Sequence, residues 1–241
     1  AMMLRASEFL GADLLLNGSS PATDLQIEAG IKLGMQHARL VEFSSVIATD
    51  RGIQLSSVKA ADAAYPLRGQ LKSAAQAYGK ESTSSGPQAG EAWVEPRLLS
   101  ALGLAIGDSV EVGQKILRLT RVLTYEPDRA GDFYSLTPRL LMNLDDLDAT
   151  GVVQPGSRVK YSELWRGSAE QIATYRKQIE PGLAPSQQLL GAKDGNRQVG
   201  GALGRAERYL NLASLAAILL AGVAVALSAS RYAQRRFDAS A

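Results

Sequence analysis

The sequence predicts an α+β fold: a discontinuous βαββ-type unit near a membrane, a β-rich insertion further out, and one apolar C-terminal helix. Three observations predict it. Short stretches of alternating apolar residues recur over residues 38–165, the mark of half-buried strands. Capped segments with helical spacing flank that region at 20–36 and 168–180. Finally, the 18 residues from position 212 to position 229 carry no charge. As a helix they would span about 27 Å, close to the hydrocarbon core of a bilayer.

The elements follow in chain order. "GADLLL" opens as a short strand, and "SPATDLQIEAGIKLGMQ" as an amphipathic helix. That helix has a Ser/Thr/Asp cluster at its N-cap, Leu25, Ile27, Ile31 and Met35 as its apolar face, and an end near Gly34. "ARLVEFSSVIAT" places Val41, Phe43 and Ile47 on one face of a strand, and "DRG" turns it into "IQLSSVKA", giving a hairpin. "YPLRGQLK" is extended. Residues 76–91, rich in Gly, Ser and Pro, read as a mobile loop and a boundary between subdomains.

A short strand around Trp93 leads to Pro96 at the first helical position, then to strands "SVEVG" and "KILRLTRVLTY". "EPDRAGDFY" reads as a flexible loop in which Asp128, Arg129, Asp132 and Phe133 are candidates for partner contact. "LTPRLLMNLDDLDATG" gives a strand and a short capped helix, "SRVKYSELW" another alternating strand, and "SAEQIATYRKQIE" a capped helix. A loop-rich stretch then leads to a helix running continuously from near Leu203 to Ser230. The boundaries expected are 1–90 with 166–205 for the membrane-proximal unit and 91–165 for the β-rich one. Residues 206–230 form the membrane helix, and 231–241 begin a cytoplasmic loop.

Composition narrows the chemistry. A net charge of +2 in 241 residues, without basic runs interleaved with aromatics, argues against a nucleic-acid partner. With no cysteine there is no thiol catalysis, disulfide or Cys-based zinc site. His37 is the sole histidine, which excludes a multi-histidine metal centre. No nucleophile elbow, zinc-protease helix or phosphate-binding P-loop is present, so no catalytic residue, metal or cofactor is assigned. Asp145, Asp146 and Asp148 lack the alternate ligand spacing of a calcium loop and read as helix capping and a solvated edge.

In the uncharged stretch, from Leu212 to Ala229, Ala213, Ala217 and Ala221 recur every fourth residue, and Gly222 lies on an adjacent stripe. Small residues at that spacing suit a helix packed among other membrane helices. Arg231, Arg235 and Arg236 favour a cytoplasmic end after it, although Lys193, Arg197, Arg205 and Arg208 stand on the other side. "AMMLRASEFL" holds no apolar export signal. A folded part outside the membrane then requires an upstream helix, so the chain is expected to be part of a longer membrane protein. A tail-anchored protein facing the cytosol is the other possibility.

Several stretches together carry a resemblance: "ASEFLGADLLL", "SSVIATDRGIQLSSVKAADAAYPLRGQL", "GEAWVEPRLLSALGLAIGDSVEVG", "PDRAGDFYSLTPRLLMNLDDLDATG" and "SRYAQRRFDASA". They resemble the first periplasmic domain and second transmembrane helix of FtsX/MacB-like ABC-transporter permeases, in the YbbP-type subgroup. The resemblance implies that residues 1–205 are periplasmic in a multi-pass inner-membrane protein, and that Arg231, Arg235 and Arg236 face a partner ABC ATPase. It implies mechanotransmission, in which ATP-driven motion of the cytoplasmic subunits is relayed to the periplasmic part, and hydrophobic or lipid-like substrates. A periplasmic thioesterase/lysophospholipase or another envelope protein is an implied partner. The alternative it leaves is an anchored module regulating a cell-envelope hydrolase.

Overall fold

The structure, a computed structural model, describes residues 7–8, 10–131, 137–154 and 156–191. The chain divides into a unit of residues 1–193 and a second of 194–241; the second lies outside the described residues. So do Leu212, Ala213, Ala217, Ala221, Gly222 and Ala229, and Arg231, Arg235 and Arg236. Among the described residues no helix is long and apolar enough to cross a membrane.

Among the described residues eleven strands form one sheet. They are β1 (Leu14–Gly18), β2 (Gln36–Thr49), β3 (Gly52–Ala61), β4 (Leu71–Ala74), β5 (Glu81–Ser84), β6 (Glu91–Val94), β7 (Ser109–Val112), β8 (Lys115–Tyr125), β9 (Arg139–Asn143), β10 (Val159–Arg166) and β11 (Gln188–Gly191). The order is β11-β1-β10-β2-β3-β9-β6-β8-β4-β5, and β7 pairs with both β2 and β8. That last pairing closes β2, β3, β9, β6, β8 and β7 into a six-stranded barrel. The pairs β3/β9 and β6/β8 are parallel and the rest antiparallel.

Period-two alternation fills the barrel. Val41, Phe43 and Ile47 of β2 point inward with Val58 and Ala60 of β3, as expected from the sequence. Leu117 and Leu119 of β8 join them, and helix α2 (Pro96–Leu102) contributes Leu98, Leu99 and Leu102. Pro96 occupies the helix start, and Gly103 ends it in the left-handed conformation at φ 62°. The tight β7–β8 turn depends on Gly113, at φ 59°, where a Cβ would lie 2.1 Å from the Thr150 carbonyl oxygen.

β2 extends beyond the barrel. Its first half pairs with β10 from Phe43↔Val159 to Gln36↔Arg166, and β10 pairs with β1, which pairs with β11. Against this wing pack helices α1 (Asp24–Lys32) and α4 (Ala169–Ile179), burying Leu14, Leu16, Trp165, Tyr175 and Ile179 between them. Each helix begins with a capping box, Thr23 with Gln26 and Ser168 with Gln171. The Gln171 amide also donates to the Leu33 carbonyl at 2.7 Å, tying the start of α4 to the end of α1. The short helix α3 (Leu147–Thr150) follows β9.

Three local expectations are corrected. The buried residues of α1 are Gln26 and Gly30, with Ile27 alongside; Leu25 is 79% exposed and Ile31 is exposed too. The helix is turned so that Gly30 lies flat on the Trp165 ring, while Gln26 shares a buried pair of amide hydrogen bonds with Gln187 at 2.9 and 3.2 Å. The Ser/Gly-rich stretch 76–91 contains β5, held by its ladder to β4 rather than by apolar pattern. The loop-rich stretch after Pro181 contains β11. The boundaries drawn at 90/91 and 165/166 fall at the start of β6 and one residue before the end of β10.

Gly30→Ala tests the closest of these contacts. Its Cβ would stand 2.3 Å from the Trp165 ring, and that overlap outweighs the roughly 1 kcal/mol by which alanine favours a helix. We expect a net loss of about 1–2 kcal/mol, read from the urea midpoint at unchanged m-value.

Candidate functional site

Outside the barrel, the face of β2 that carries the even-numbered residues changes character along its length. Ala38 and Leu40 belong to an apolar cluster with Leu15, Tyr65, Trp93, Leu141 and others. Next comes Glu42, paired across the ladder with Lys59 of β3. Beyond Ser44, Val46 and Ala48 lie opposite Leu55 and Ile53, and the row continues through Glu111 to Ile116. Val46 and Leu55 are about half exposed, Ile53 is 73% and Ile116 61% exposed. The tip of the β2–β3 hairpin therefore carries an apolar ribbon turned to solvent. It lies on the order of 40 Å along β2 from the Gln36 end, which is level with Trp165 and Leu14.

Between the two apolar zones sits a buried ionic cluster. Lys59, 1% exposed, places its ammonium 2.8 and 2.9 Å from the two Asp128 oxygens and 3.0 Å from Glu126. Arg139 of β9 lies 3.3 Å from Glu42 and 3.4 Å from Glu126, and Lys160 2.8 Å from Glu42. The Tyr65 hydroxyl donates to Asp128 at 2.5 Å. Glu95, at the start of α2, accepts from the Arg139 backbone at 3.2 Å and from Arg97 at 3.0 Å, and it pairs with Arg129.

The electrostatics follow from burial. Burial raises the Glu42 carboxyl, but Lys59, Lys160 and Arg139 together outweigh it and bring it down to about 2. Burial disfavours the Lys59 ammonium, yet Asp128, Glu126 and Glu42 more than compensate, so the lysine is held protonated. Glu126 is pushed above the usual carboxylate range by burial, with the cations only partly opposing. Tyr65 is held well above its ordinary value by burial and by Asp128. Lys59 is thus held charged and Tyr65 protonated, and the cluster ties β2, β3, β9 and the segment after β8 together.

Asp128, expected in a flexible loop, is instead the principal partner of Lys59, and Arg129 pairs with Glu95. Both sit on a short 3-10 helix, Pro127–Gly131; the other two candidates there, Asp132 and Phe133, lie outside the described residues. Of the acidic trio, Asp146 is buried, accepting from the Gly90 N–H at 2.6 Å and pairing with Lys115 at 3.0 Å. Asn143 caps the 3-10 turn Leu144–Asp146 that precedes α3, and Asp146 holds the N-cap position of α3 itself without a side-chain cap bond. His37 stacks on Trp165 at 4.4 Å, and its Nε2 lies 2.6 Å from the buried Glu163 carboxylate, which Arg39 also holds at 2.8 Å. Among the described residues no group of His, Asp and Glu is placed to hold a metal.

Comparison with known proteins finds a curated relative and similar solved structures. The chain is 33% identical over 234 residues to "Uncharacterized ABC transporter permease YbbP" of Escherichia coli (strain K12). The match covers 97% of this chain, which spans 28% of that protein's length. No family model matches. Among solved structures, the periplasmic region of MacB from Actinobacillus actinomycetemcomitans aligns with TM-score 0.50 at 9% identity, over 83% of this chain and 98% of that one. The extracellular domain of the noncanonic ABC-type transporter YknZ from Gram-positive bacteria aligns with TM-score 0.49 at 11% identity, over 74% and 100%. The resemblance read from the motifs is thus found again in a curated relative, and the mixed α/β fold with its large sheet in the MacB region.

The ionic cluster predicts two opposed pH effects. Glu42 titrates lower in the folded chain than in the unfolded one, so its contribution is present above about pH 4.5 and is lost as pH falls toward 2. It amounts to about 3 kcal/mol at most. Glu126, raised on folding, acts the other way: its contribution is present at low pH and is lost as pH rises through its folded value. Glu42→Gln should flatten the acid limb of a urea-stability profile between pH 2 and 5. Glu126→Gln should remove the decline above it. Lys59→Ala, which leaves buried carboxylates unpaired, should cost roughly 3–5 kcal/mol at pH 7.

Proposed function

We propose that this chain belongs to a YbbP-type ABC transporter permease and is that permease's first periplasmic part. The observation that carries the reading is the 33% identity extending over 97% of the chain. In it, residues 1–205 stand in the periplasm, with 1–90 and 166–205 nearer the membrane and 91–165 further out. Residues 206–230 cross the inner membrane with Ala213, Ala217, Ala221 and Gly222 against neighbouring helices, and Arg231, Arg235 and Arg236 meet a partner ATPase subunit. ATP hydrolysis there moves the membrane helix, and the folded part follows as a lever acting on hydrophobic or lipid-like compounds.

Two features support this division of labour. β1 and β11 are hydrogen-bonded neighbours, Leu14 opposite Gly191, so the chain enters and leaves the sheet at one end. The apolar ribbon lies at the other end of β2, far from that edge. The ribbon also favours a second reading, docking of an envelope protein such as a thioesterase or other hydrolase regulated by the permease.

Topology is the first test. A cysteine introduced at Ser84 in the full-length permease should react with a membrane-impermeant maleimide added from the periplasmic side. Reaction only after lysis would overturn the placement. Val46→Asp with Leu55→Asp, on the exposed side of the hairpin, separates the two readings. Stimulation of a co-purified hydrolase lost in this variant, at intact ATP-dependent transport, would favour regulation.

A further inference from the structure

From Ala63 to Gly90 the chain carries one acidic side chain, Glu81, against Arg68, Lys72 and Lys80. Arg68 is bound to Asp13, but Lys72 and Lys80 stand where β4 and β5 bring the sheet to an end. The sheet's other margin, β11, runs into residues outside the described ones. Beyond β5 no strand pairs among the described residues.

β5 lacks most of the usual protection of such a margin. It contains no proline, and its ladder to β4 runs from Leu71↔Ser84 to Ala74↔Glu81 without a bulge. Its hydroxyls turn back toward β4 and the residue before it. Ser84 Oγ lies 3.1 Å from Ser73 Oγ, Ser82 Oγ donates to the Ser73 carbonyl at 3.3 Å, and Thr83 Oγ1 donates to Gln70 Oε1 at 3.3 Å. The small side chains therefore leave the outer backbone groups of β5 unscreened.

The surroundings of this edge are cationic and aromatic. Lys72 lies 5.7 Å from the ring centroid of Tyr125, which is 43% exposed, and 3.8 Å from Glu81. Arg121 of β8 reaches across β4 to Ser82 Oγ at 3.5 Å, and its Nε has no hydrogen-bond partner among the described residues. Lys80 is exposed and makes no ion pair among the described residues. Tyr78, just before β5, has a left-handed backbone at φ 60°, uncommon for a non-glycine residue, and is 91% exposed. Tyrosine and arginine are the side chains on which interfaces most often anchor.

From this juxtaposition we infer that β5 is a docking edge for an extended, acidic segment of a partner protein, which joins the sheet as a further strand. Main-chain hydrogen bonds to Glu81–Ser84 hold the segment. Its carboxylates answer Lys72, Lys80 and the open Nε of Arg121, and its end packs on Tyr78. The excess of these three cations over Glu81 favours an acidic segment over a basic one. The same excess disfavours pairing of β5 with its own copy. The edge belongs to the folded unit of residues 1–193 and does not depend on the permease reading.

The test uses the full chain in zwitterionic nanodiscs and a fluorescein-labelled short peptide alternating glutamate and valine. We expect a Kd on the order of 100 μM at low salt, weakening several-fold toward about 0.5 M salt, and no binding of the lysine–valine counterpart. On binding, the amides of residues 81–84 should gain protection from hydrogen exchange. A strand turns its N–H groups alternately to either side, so N-methylation of one alternate set of peptide amides should abolish binding, and of the other set leave it. Lys80→Glu should weaken binding about threefold at an unaltered thermal melt. Tyr78→Gly, which keeps the left-handed backbone, should weaken it about tenfold. Equal effects of the two N-methyl patterns, or indifference to both Lys80→Glu and Tyr78→Gly, would overturn the docking edge. So would self-association of the chain through residues 81–84, or no binding up to about 5 mM peptide.

Discussion

One strand, β2, holds the described unit together. Its inner half is a stave of the barrel, bonded to β3 and β7, and its outer half is the seam to β10 and the wing. Both halves obey one period-two alternation, so a register slip of one residue would turn Val41, Phe43 and Ile47 out of the barrel and at the same time tear Ala38 and Leu40 from the second apolar cluster. Barrel and wing are therefore specified jointly. Neither can shift along the strand without cost to the other.

The ionic cluster acts where that joint specification is weakest, between the two apolar zones. Burying Lys59, Glu126 and Asp128 is expensive, and a well-packed apolar substitute is often as stable or more so. What the charges add is direction. Lys59 accepts only an arrangement that brings β2, the end of β8 and the 3-10 helix after it to one point, and Arg139 brings in the parallel strand β9. Parallel pairing has no hairpin to set its register, so an ion pair at the first residue of β9 supplies a constraint that the turn chemistry cannot.

Local physics was legible in the sequence to the extent that it was local. Thr23, Ser168 and Pro96 announced their helix starts because capping is decided within four residues, and the β2–β3 hairpin followed from alternation around "DRG". β5, "ESTS", has no apolar period and exists only because β4 offers a ladder. The face of α1 was misjudged because Gly30, silent in any hydrophobic pattern, is chosen for the flat approach of Trp165 from 135 positions away. Asp128 looked like loop chemistry; its partner Lys59 is 69 positions distant. The open edge at β5 was invisible for the same reason, since Arg121 and Tyr125 of β8 come to it only through β4. The family resemblance fared better, since it draws on many positions at once.

The wing has a mechanical property that bears on the proposed lever. In antiparallel ladders the inter-strand hydrogen bonds lie perpendicular to the strands, so a force along β1 or β11 loads every bond of a pair at once rather than peeling them in turn. Leu14 faces both Gly191 and Trp165, and Trp165 faces His37 near the start of β2. Load entering at either outer strand therefore passes by shear through β10 into β2, and β2 continues without interruption into the barrel wall. The helices cannot absorb the motion, because α1 is locked on Trp165 through Gly30 and α4 on α1 through Gln171. A displacement at the edge where the chain enters and leaves reaches the barrel, with its exposed ribbon, as a movement of the whole body.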